Sequence, residues 1–243
     1  MKTSNSNSTS SFEGKNILII GASSGIGHAL AKQLENQGAT LFTASRTAPE
    51  GITSTHTELD ITGEIDNLQI PDELHGLVYC AGSINLKPFA RLKMKDFEND
   101  FQINVLGAVK VIQHSLKALK KAETSSIVLF STVASKVGMN FNASIATAKS
   151  AVEGLAQSLA AELASQNTRV NVLAPSLTDT PLAKSLLSTE DKKEASGKRH
   201  PLGRVGTAED LASAAAFLLS DESTWITGQI VGVDGGMGKI KLV

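Results

Sequence analysis

The chain has 243 residues, of which 41% are hydrophobic, and a formal net charge of -1 at neutral pH. This length and apolar content permit one domain with a sizeable core. Scattered cations and a charge near zero exclude a basic face for nucleic acid, and no apolar stretch approaches the roughly 20 residues that span a bilayer. We therefore expect a soluble protein with neither nucleic-acid nor membrane partners.

Two compositional features bear on compartment and boundaries. Cys80 is the only cysteine, which excludes an intramolecular disulfide and indicates a reducing, cytoplasmic compartment. Residues 1–11 are rich in Ser, Thr and Asn and lack the apolar centre of a secretory signal. We expect a disordered tail over 1–11 and a single domain over 12–243. The five histidines are dispersed, so we expect no metal site.

The first predicted element is a strand over Asn16 to Ile20, a short apolar run typical of a strand buried on both faces. A glycine-rich turn follows at once, made of Gly21, Ala22, Ser23, Ser24, Gly25, Ile26 and Gly27. Its glycines allow a tight turn into a helix predicted from His28 to Gln37, and they let backbone N–H groups approach a pyrophosphate. Because the turn follows a strand and opens a helix, it predicts a dinucleotide site.

The second predicted strand, about Thr40 to Ala44, ends at Ser45 and Arg46. An acidic residue at this place would bind the ribose 2′-OH of NAD and repel the 2′-phosphate of NADP. Ser45 is neutral, and the Arg46 guanidinium can hold a phosphate through two hydrogen bonds. The sequence therefore favours NADP(H). The Pro, Gly and Thr content of 47–57 disfavours a long helix after this strand.

The spacing Gly-x-x-x-Gly-x-Gly, together with later segments in the same order, resembles the short-chain dehydrogenase/reductase family from about Lys15 to Gly238. The later segments are 78–82 (Val-Tyr-Cys-Ala-Gly), 101–105 with Asn104, 126–131, 146–155 with Lys149, 169–175, and 201–204 with 228–236. The resemblance implies an α/β fold, a Rossmann-type doubly wound parallel β-sheet flanked by helices in a single domain. The alternation of strands and helices indicates the same fold independently.

The resemblance also implies further cofactor contacts. Asp60 and Ile61 match the adenine contact, and Pro175 to Thr180 match the segment that meets the nicotinamide carboxamide. Ser176 stands where the family usually has a glycine, which adds a Cβ at a tight turn. Beyond the turn, Ser45 and Arg46, the implied contacts are Asp60, Ile61, Ala81, Gly82, Lys149, Pro175, Ser176, Thr178 and Thr180.

The family's catalytic Asn, Ser, Tyr and Lys fall on Asn104, Thr132, Ile145 and Lys149. In the family the tyrosine phenol protonates the developing alkoxide, and the lysine lowers the tyrosine pKa and holds the nicotinamide ribose. The Thr132 hydroxyl is able to polarise a carbonyl, whereas Ser131 should point to the other side of the strand. Ile145 has no proton to give, so the resemblance implies an atypical active site.

Several groups near this position are candidate substitutes for the proton donor. Tyr79, the only tyrosine, is expected to pack the end of the fourth strand. Ser144 and Asn142 are not acids comparable to a phenol near neutral pH, and Cys80 is expected to be a small buried hydrophobe. Ordered water relayed to Lys149 is the most economical substitute. Without a general acid, hydride delivery would be slowed roughly 10²- to 10⁴-fold rather than abolished, and enones would suffer least.

The region 181–200 resembles the family's substrate lid. Its cations are Lys184, Lys192, Lys193, Lys198 and Arg199. They form either a site for an anionic substrate such as an acyl thioester or, the reading we favour, a solvated face balanced by Glu190, Asp191 and Glu194.

Three functions remain open. The first is an NADP(H)-dependent oxidoreductase resembling the 3-oxoacyl-carrier-protein reductase group and acting on a small carbonyl, acyl thioester or enone. The second is a non-redox isomerase or lyase that binds NADP(H), and the third is a silent regulatory or partner subunit. Asn104 and Lys149 favour the first two, and Ile145 favours the last two. We expect the oxidoreductase, and the family's habit of pairing through helices that here begin near Asp96 and Ser144 implies a dimer or tetramer.

Overall fold

The computed structural model describes residues 11–241, so the tail expected over 1–11 lies outside the described residues except for Ser11. Strands and helices alternate along the chain. They are β1 (Asn16–Ile20), α1 (Gly25–Asn36), β2 (Thr40–Ser45), β3 (Thr55–Glu58), β4 (Gly76–Tyr79), α2 (Met94–Phe101), α3 (Gly107–Lys121), β5 (Ser125–Phe130), α4 (Ala143–Leu163), β6 (Thr168–Pro175), β7 (Thr178–Asp179), α5 (Glu190–Gly197), β8 (Gly206–Thr207), α6 (Ala208–Leu219) and β9 (Ile230–Val233).

Seven strands form one sheet in the order β3-β2-β1-β4-β5-β6-β9, with every neighbouring pair parallel. The prediction of a doubly wound parallel sheet is therefore confirmed. The strand order reverses between β1 and β4, where Ile20 lies beside Tyr79. In open parallel sheets, ligands bind outside the carboxyl ends of the strands at this reversal. The turn after β1 and the segment after β4 both begin there.

The sheet separates two apolar cores, which explains why its strands read as continuous apolar runs. In β1, Leu18 and Ile20 pack into the core that includes residues of α3 and α4. Ile17 and Ile19 face the opposite core, which includes residues of α1 and α6. Helices α3 and α4 thus cover one face of the sheet, and α1 and α6 cover the other.

The prediction that no long helix follows the second strand is confirmed. Between Arg46 and Gly82, where every residue is described, β2 passes to β3 and β3 passes to β4 without an α-helix. Apolar side chains of the irregular segment after β3 enter the core in place of a helix. These side chains are Leu59, Ile61, Ile65, Leu68 and Leu74. The edge of the sheet beside β3 is therefore covered by loop rather than by helix.

No helix within 11–241 is long and apolar enough to cross a membrane. Over the same range, no group of three His, Cys, Asp or Glu side chains is arranged to hold a metal ion.

Candidate active site

The glycine-rich turn is shaped by close backbone packing. Gly21 and Gly25 have φ values of +88° and +55°, a region that favours glycine. A Cβ on Gly27 would lie 2.2 Å from the Gly21 carbonyl oxygen, and one on Gly21 would lie 2.9 Å from the Ala81 nitrogen. The turn therefore needs glycine at 21 and 27 to pack against α1 and the end of β4.

The start of α1 is open to an anion. Ser24 is the N-cap, but its side chain makes no capping hydrogen bond, and the first turn contains no acidic residue. The first N–H groups of the helix are therefore not satisfied by the cap, and the helix dipole favours negative charge beside them. Thr180 reaches the same place, since a Cβ on Gly25 would lie 3.4 Å from the Thr180 Cβ. Ser23 and Ile26 lie half-buried in this turn.

Arg46 and Asp60 lie near each other beyond the carboxyl ends of β2 and β3. The Asp60 carboxylate accepts hydrogen bonds from the Thr62 backbone at 2.9 Å and the Thr62 hydroxyl at 2.7 Å. These bonds lower the Asp60 pKa, and the charges of Arg46 and Lys110 add to the effect. Ser45 donates to the Thr47 carbonyl at 2.8 Å. Within 11–241, the exposed Arg46 guanidinium has no hydrogen-bond partner and is available to a ligand.

Asn104 lies in a π-helical turn, Gln102–Leu106, that links α2 to α3. π-helical turns are rare in proteins, and those that occur are often found at functional sites. The Asn104 amide nitrogen donates to the Asp100 carbonyl at 2.7 Å and to the Ser83 hydroxyl at 3.0 Å. Its oxygen is buried and receives no hydrogen bond from any described residue. That oxygen would lie 3.3 Å from a Cβ on Gly82.

Lys149 comes to the same place from α4. Its side chain is buried, and its Nζ donates to the Phe130 carbonyl at 2.9 Å. Nζ would lie 3.5 Å from a Cβ on Gly82, so Lys149 and Asn104 border one small gap that only glycine at position 82 leaves open. Burial lowers the Lys149 pKa to about 8, although the negative charge of Asp100 opposes this shift.

Thr132 and Ile145 complete the predicted set. Thr132 follows β5, and its hydroxyl oxygen accepts a hydrogen bond from the Ala134 N–H at 3.3 Å, so its hydroxyl hydrogen is free to donate. Ser131 points elsewhere and donates to the buried Glu153 carboxylate at 2.6 Å, as the alternation along a strand predicts. Ile145 lies in α4, one turn before Lys149, and is 6% exposed.

The other candidate proton donors are engaged elsewhere. Tyr79 donates to the Ile103 carbonyl of the π-helical turn at 2.5 Å, and burial raises its pKa. Burial raises the pKa of the Cys80 thiol to about 12, so the thiol is neutral at pH 7. Ser144 donates to Asp100 at 2.5 Å, and Asn142 donates to the Asn140 carbonyl at 2.8 Å. The ammonium group of Lys149 is therefore the proton donor that remains beside Gly82.

Asp100 belongs to the site although sequence reasoning missed it. Its carboxylate is buried and accepts hydrogen bonds from Ser83 at 2.7 Å, from Ser144 at 2.5 Å and from Asn85 at 3.4 Å. The available signal was its position one helical turn before Asn104, because residues four apart lie on one helix face.

Ser176 is accommodated by a histidine partner. The Ser176 hydroxyl lies 2.7 Å from Nε2 of His200, and Nδ1 of His200 lies 2.9 Å from the Ser196 carbonyl. The carbonyl requires the proton on Nδ1, so Ser176 donates to Nε2. Ser176 is not among the residues with positive φ. Its Cβ therefore causes no strain, and its hydroxyl ties the end of the predicted lid to the segment after β6.

The segment after β6 and the lid cations can be placed as well. Pro175 ends β6, Thr178 is buried in β7, and the hydroxyls of Thr178 and Thr180 bond to backbone carbonyls within the segment. Lys193 lies 2.7 Å from Asp179, and Lys198 lies 2.6 Å from Glu194. These ion pairs support a solvated, charge-balanced face for the lid.

Comparisons with known proteins agree with this geometry. The model of the family described as Enoyl-(Acyl carrier protein) reductase matches residues 21–238. The 3-oxoacyl-[acyl-carrier-protein] reductase FabG of Thermotoga maritima is 33% identical over 244 residues, covering 93% of this chain and 98% of the relative.

Solved structures give the same result. A short-chain type dehydrogenase/reductase from Mycobacterium ulcerans is similar with a TM-score of 0.86 and 30% identity, over 94% of this chain and 91% of that one. ElxO with NADP bound is similar with a TM-score of 0.82 and 26% identity, over 92% of this chain and 98% of that one. The chain therefore belongs to the short-chain dehydrogenase/reductase family of NAD(P)-binding oxidoreductases.

Proposed function

We propose that the chain is an NADP(H)-dependent oxidoreductase that reduces a carbonyl or an activated alkene, or oxidises the corresponding alcohol, with Lys149 in place of the family's tyrosine as proton donor. The observation that carries this proposal is the gap beside Gly82. A buried amine with a pKa of about 8 borders this gap together with the unpartnered oxygen of Asn104, at the sheet edge where a dinucleotide is expected.

The residues of the site fit NADP(H). The glycine turn and the open end of α1 suit the pyrophosphate, and the exposed Arg46, which makes no hydrogen bond to a described residue, suits a 2′-phosphate. By the resemblance to the family, Lys149 would hold the nicotinamide ribose, and Pro175 to Thr180 would meet the carboxamide. When bound, NADP(H) supplies or accepts a hydride. The NADP bound by the similar protein ElxO is in keeping with this choice.

The protein's own groups account for the remaining steps. Thr132 has a free hydroxyl hydrogen that can bond to a substrate oxygen and polarise the carbonyl. The Lys149 ammonium then gives a proton to that oxygen, directly or through a water in the gap. A pKa of about 8 suits this task better than the ordinary 10.5, because a general acid works best when its pKa lies near the working pH.

Ile145 favours a second candidate function. If the reductase of this fold requires a phenol, the chain is an NADP(H)-binding isomerase or lyase, or a silent partner subunit. In either case we propose a cytoplasmic homo-oligomer, a dimer or tetramer, in line with the resemblance to family members that pair through the helices corresponding to α2 and α4.

Two measurements on one sample separate these candidates. NADPH and NADH are titrated by fluorescence, and oxidation of the tighter cofactor is then followed by absorbance with ketones, acyl thioesters and enones. We expect NADPH to bind more tightly and one substrate class to turn over. Binding without any turnover would favour the second candidate, and failure to bind either cofactor would exclude both.

Replacing Arg46 with glutamate should reverse the cofactor preference. A carboxylate there loses the charge-assisted bonds to the 2′-phosphate and repels it, so NADPH affinity should fall about 100-fold or more. NADH affinity should change only a few-fold. Lys120→Glu is the matched control, since this exposed cation ends α3 at the opposite edge of the sheet. An equal loss of NADPH affinity in both variants would indicate a general electrostatic effect and would contradict the assignment of Arg46 to the 2′-phosphate.

A further inference from the structure

Asp100 is a buried carboxylate that no step of the proposed function uses directly. It lies in the last turn of α2, is 2% exposed, and accepts hydrogen bonds from Ser83, Ser144 and Asn85. These donors come from the segment after β4 and from the first turn of α4. Burying a carboxylate carries a large desolvation cost, and an apolar side chain would fill the space without that cost. Packing alone therefore does not explain why a carboxylate occupies this position.

The hydrogen bonds of Asp100 fix the direction of its neighbours. An ionised carboxylate only accepts hydrogen bonds, so the single hydrogen of the Ser83 hydroxyl is committed to Asp100. The Ser83 oxygen can then only accept from Asn104, and the amide end of Asn104 that faces it must be the nitrogen, at 3.0 Å. The other amide hydrogen bonds to the backbone carbonyl of Asp100, which also requires the nitrogen at this end, so the link through Ser83 reinforces an orientation that the backbone favours. The Asn104 oxygen is left facing the gap beside Gly82.

The direction of this amide matters for Lys149. With its oxygen toward the gap, Asn104 offers an acceptor to the ammonium or to a water bound by it. With the amide reversed, two groups of donors would face each other across the gap, and the ammonium would lose an acceptor in a buried place. Ser144 adds a second link, because its bond to Asp100 holds the turn of α4 that precedes Lys149.

We propose that Asp100 is a positioning residue of the active site, which orients the Asn104 amide through Ser83 and anchors the first turn of α4 through Ser144, so that the oxygen of Asn104 faces Lys149. This inference rests on the proposed function, since it assigns the network to the group that donates the proton. The negative charge of Asp100 also favours the protonated form of Lys149. The Asp100 carboxylate thus supports the orientation of Asn104 and adds negative charge near Lys149.

The test compares Asp100→Asn and Ser83→Ala with the native protein. Two quantities are measured against pH: the rate of substrate reduction and the affinity for NADPH, which depends on the Lys149 ammonium whether or not a substrate turns over. We expect Asp100→Asn to lower the midpoint of both profiles by about one pH unit and to slow reduction about 10-fold or more. Ser83→Ala keeps the charge and should shift the midpoint less while slowing reduction.

Glu153→Gln is the matched control. Glu153 is also a buried carboxylate bonded to two serines, Ser131 and Ser135, but it is paired with Lys136 and is not among the charges that act on the Lys149 amine. Its loss should lower the melting temperature without moving either midpoint. Unchanged midpoints in a folded Asp100→Asn variant would overturn the proposal and leave Asp100 a structural residue.

The outcomes for the native protein keep the two proposals apart. NADPH binding without turnover of any substrate would refute the proposed reductase, while the binding profile of Asp100→Asn would still decide the role of Asp100. Failure of the native protein to bind NADPH at any pH would refute both.

Discussion

Replacing Ile145 with tyrosine is expected to raise the rate of carbonyl reduction by roughly 10²- to 10⁴-fold, the usual contribution of a positioned general acid. Position 145 lies one helical turn before Lys149 in α4, so a phenol there would stand beside the ammonium, which would lower the phenol pKa. The rates of native and variant protein are compared from NADPH oxidation with the same ketone.

Ile145→Phe is the matched control for this gain. Ile145 is 6% exposed, so a larger side chain must rearrange its surroundings, and phenylalanine imposes the same ring without the hydroxyl. We expect no gain from Ile145→Phe. An equal gain in both variants would show that ring packing rather than proton donation raises the rate. A folded Ile145→Tyr variant without any gain would show that proton transfer does not limit turnover.

Removing the amine of Lys149 should have the second large effect. Lys149→Met loses the proton donor and the ribose contact, so reduction should fall about 10³-fold or more. Lys149→Arg keeps a positive charge but does not release a proton near neutral pH, and it should be nearly as slow while binding NADPH better than the Met variant. A reduction rate of Lys149→Arg equal to that of the native protein would exclude Lys149 as the proton donor.

The pH dependence of the native protein follows from the same group. The ammonium is the acid in reduction, so the rate should hold below pH 8 and fall as the pH rises through about 8. In alcohol oxidation the free amine accepts the proton, and the rate should rise over the same range. A reduction rate that stays constant to pH 10 would contradict the assignment.

The lowered pKa also affects stability. Burial lowers the Lys149 pKa from 10.5 to about 8, so between these values the unfolded chain binds more protons than the folded chain. Lys149 alone therefore makes stability rise with pH across this window, whereas burial of the Cys80 thiol, which raises its pKa from 9.0 to about 12, opposes the rise above pH 9. Lys149→Met should remove that rise, which melting curves recorded at several pH values will show.

The sequence predicted the parts of the molecule that depend on local signals. The apolar run of β1 and the glycine turn are contiguous, and the spacing of Gly21, Gly25 and Gly27 is set by backbone packing alone. The absence of a helix between β2 and β3 followed from the Pro, Gly and Thr content of 47–57. The position of Lys149 relative to Ile145 followed from helical periodicity.

The polar network could not be predicted because its members are distant in sequence. Ser83, Asp100 and Ser144 come from three segments that meet only when α2 packs against α4 beside the end of β4. Periodicity describes each helix by itself and not which faces of two helices meet. The partnership of Ser176 with His200 likewise depends on how the lid folds back over β6.

The uneven covering of the sheet has a consequence for how such a protein can evolve. Arg46 and Asp60 stand on loops at the edge of the sheet where loop replaces helix, whereas Lys149 and Ser144 stand on the 21-residue helix α4. Loops tolerate exchange and insertion more readily than packed helices do. Selection can therefore alter cofactor preference at one end of the cleft while the proton-donating end is inherited unchanged. A change at the proton-donating end that keeps the cofactor preference requires several coordinated substitutions.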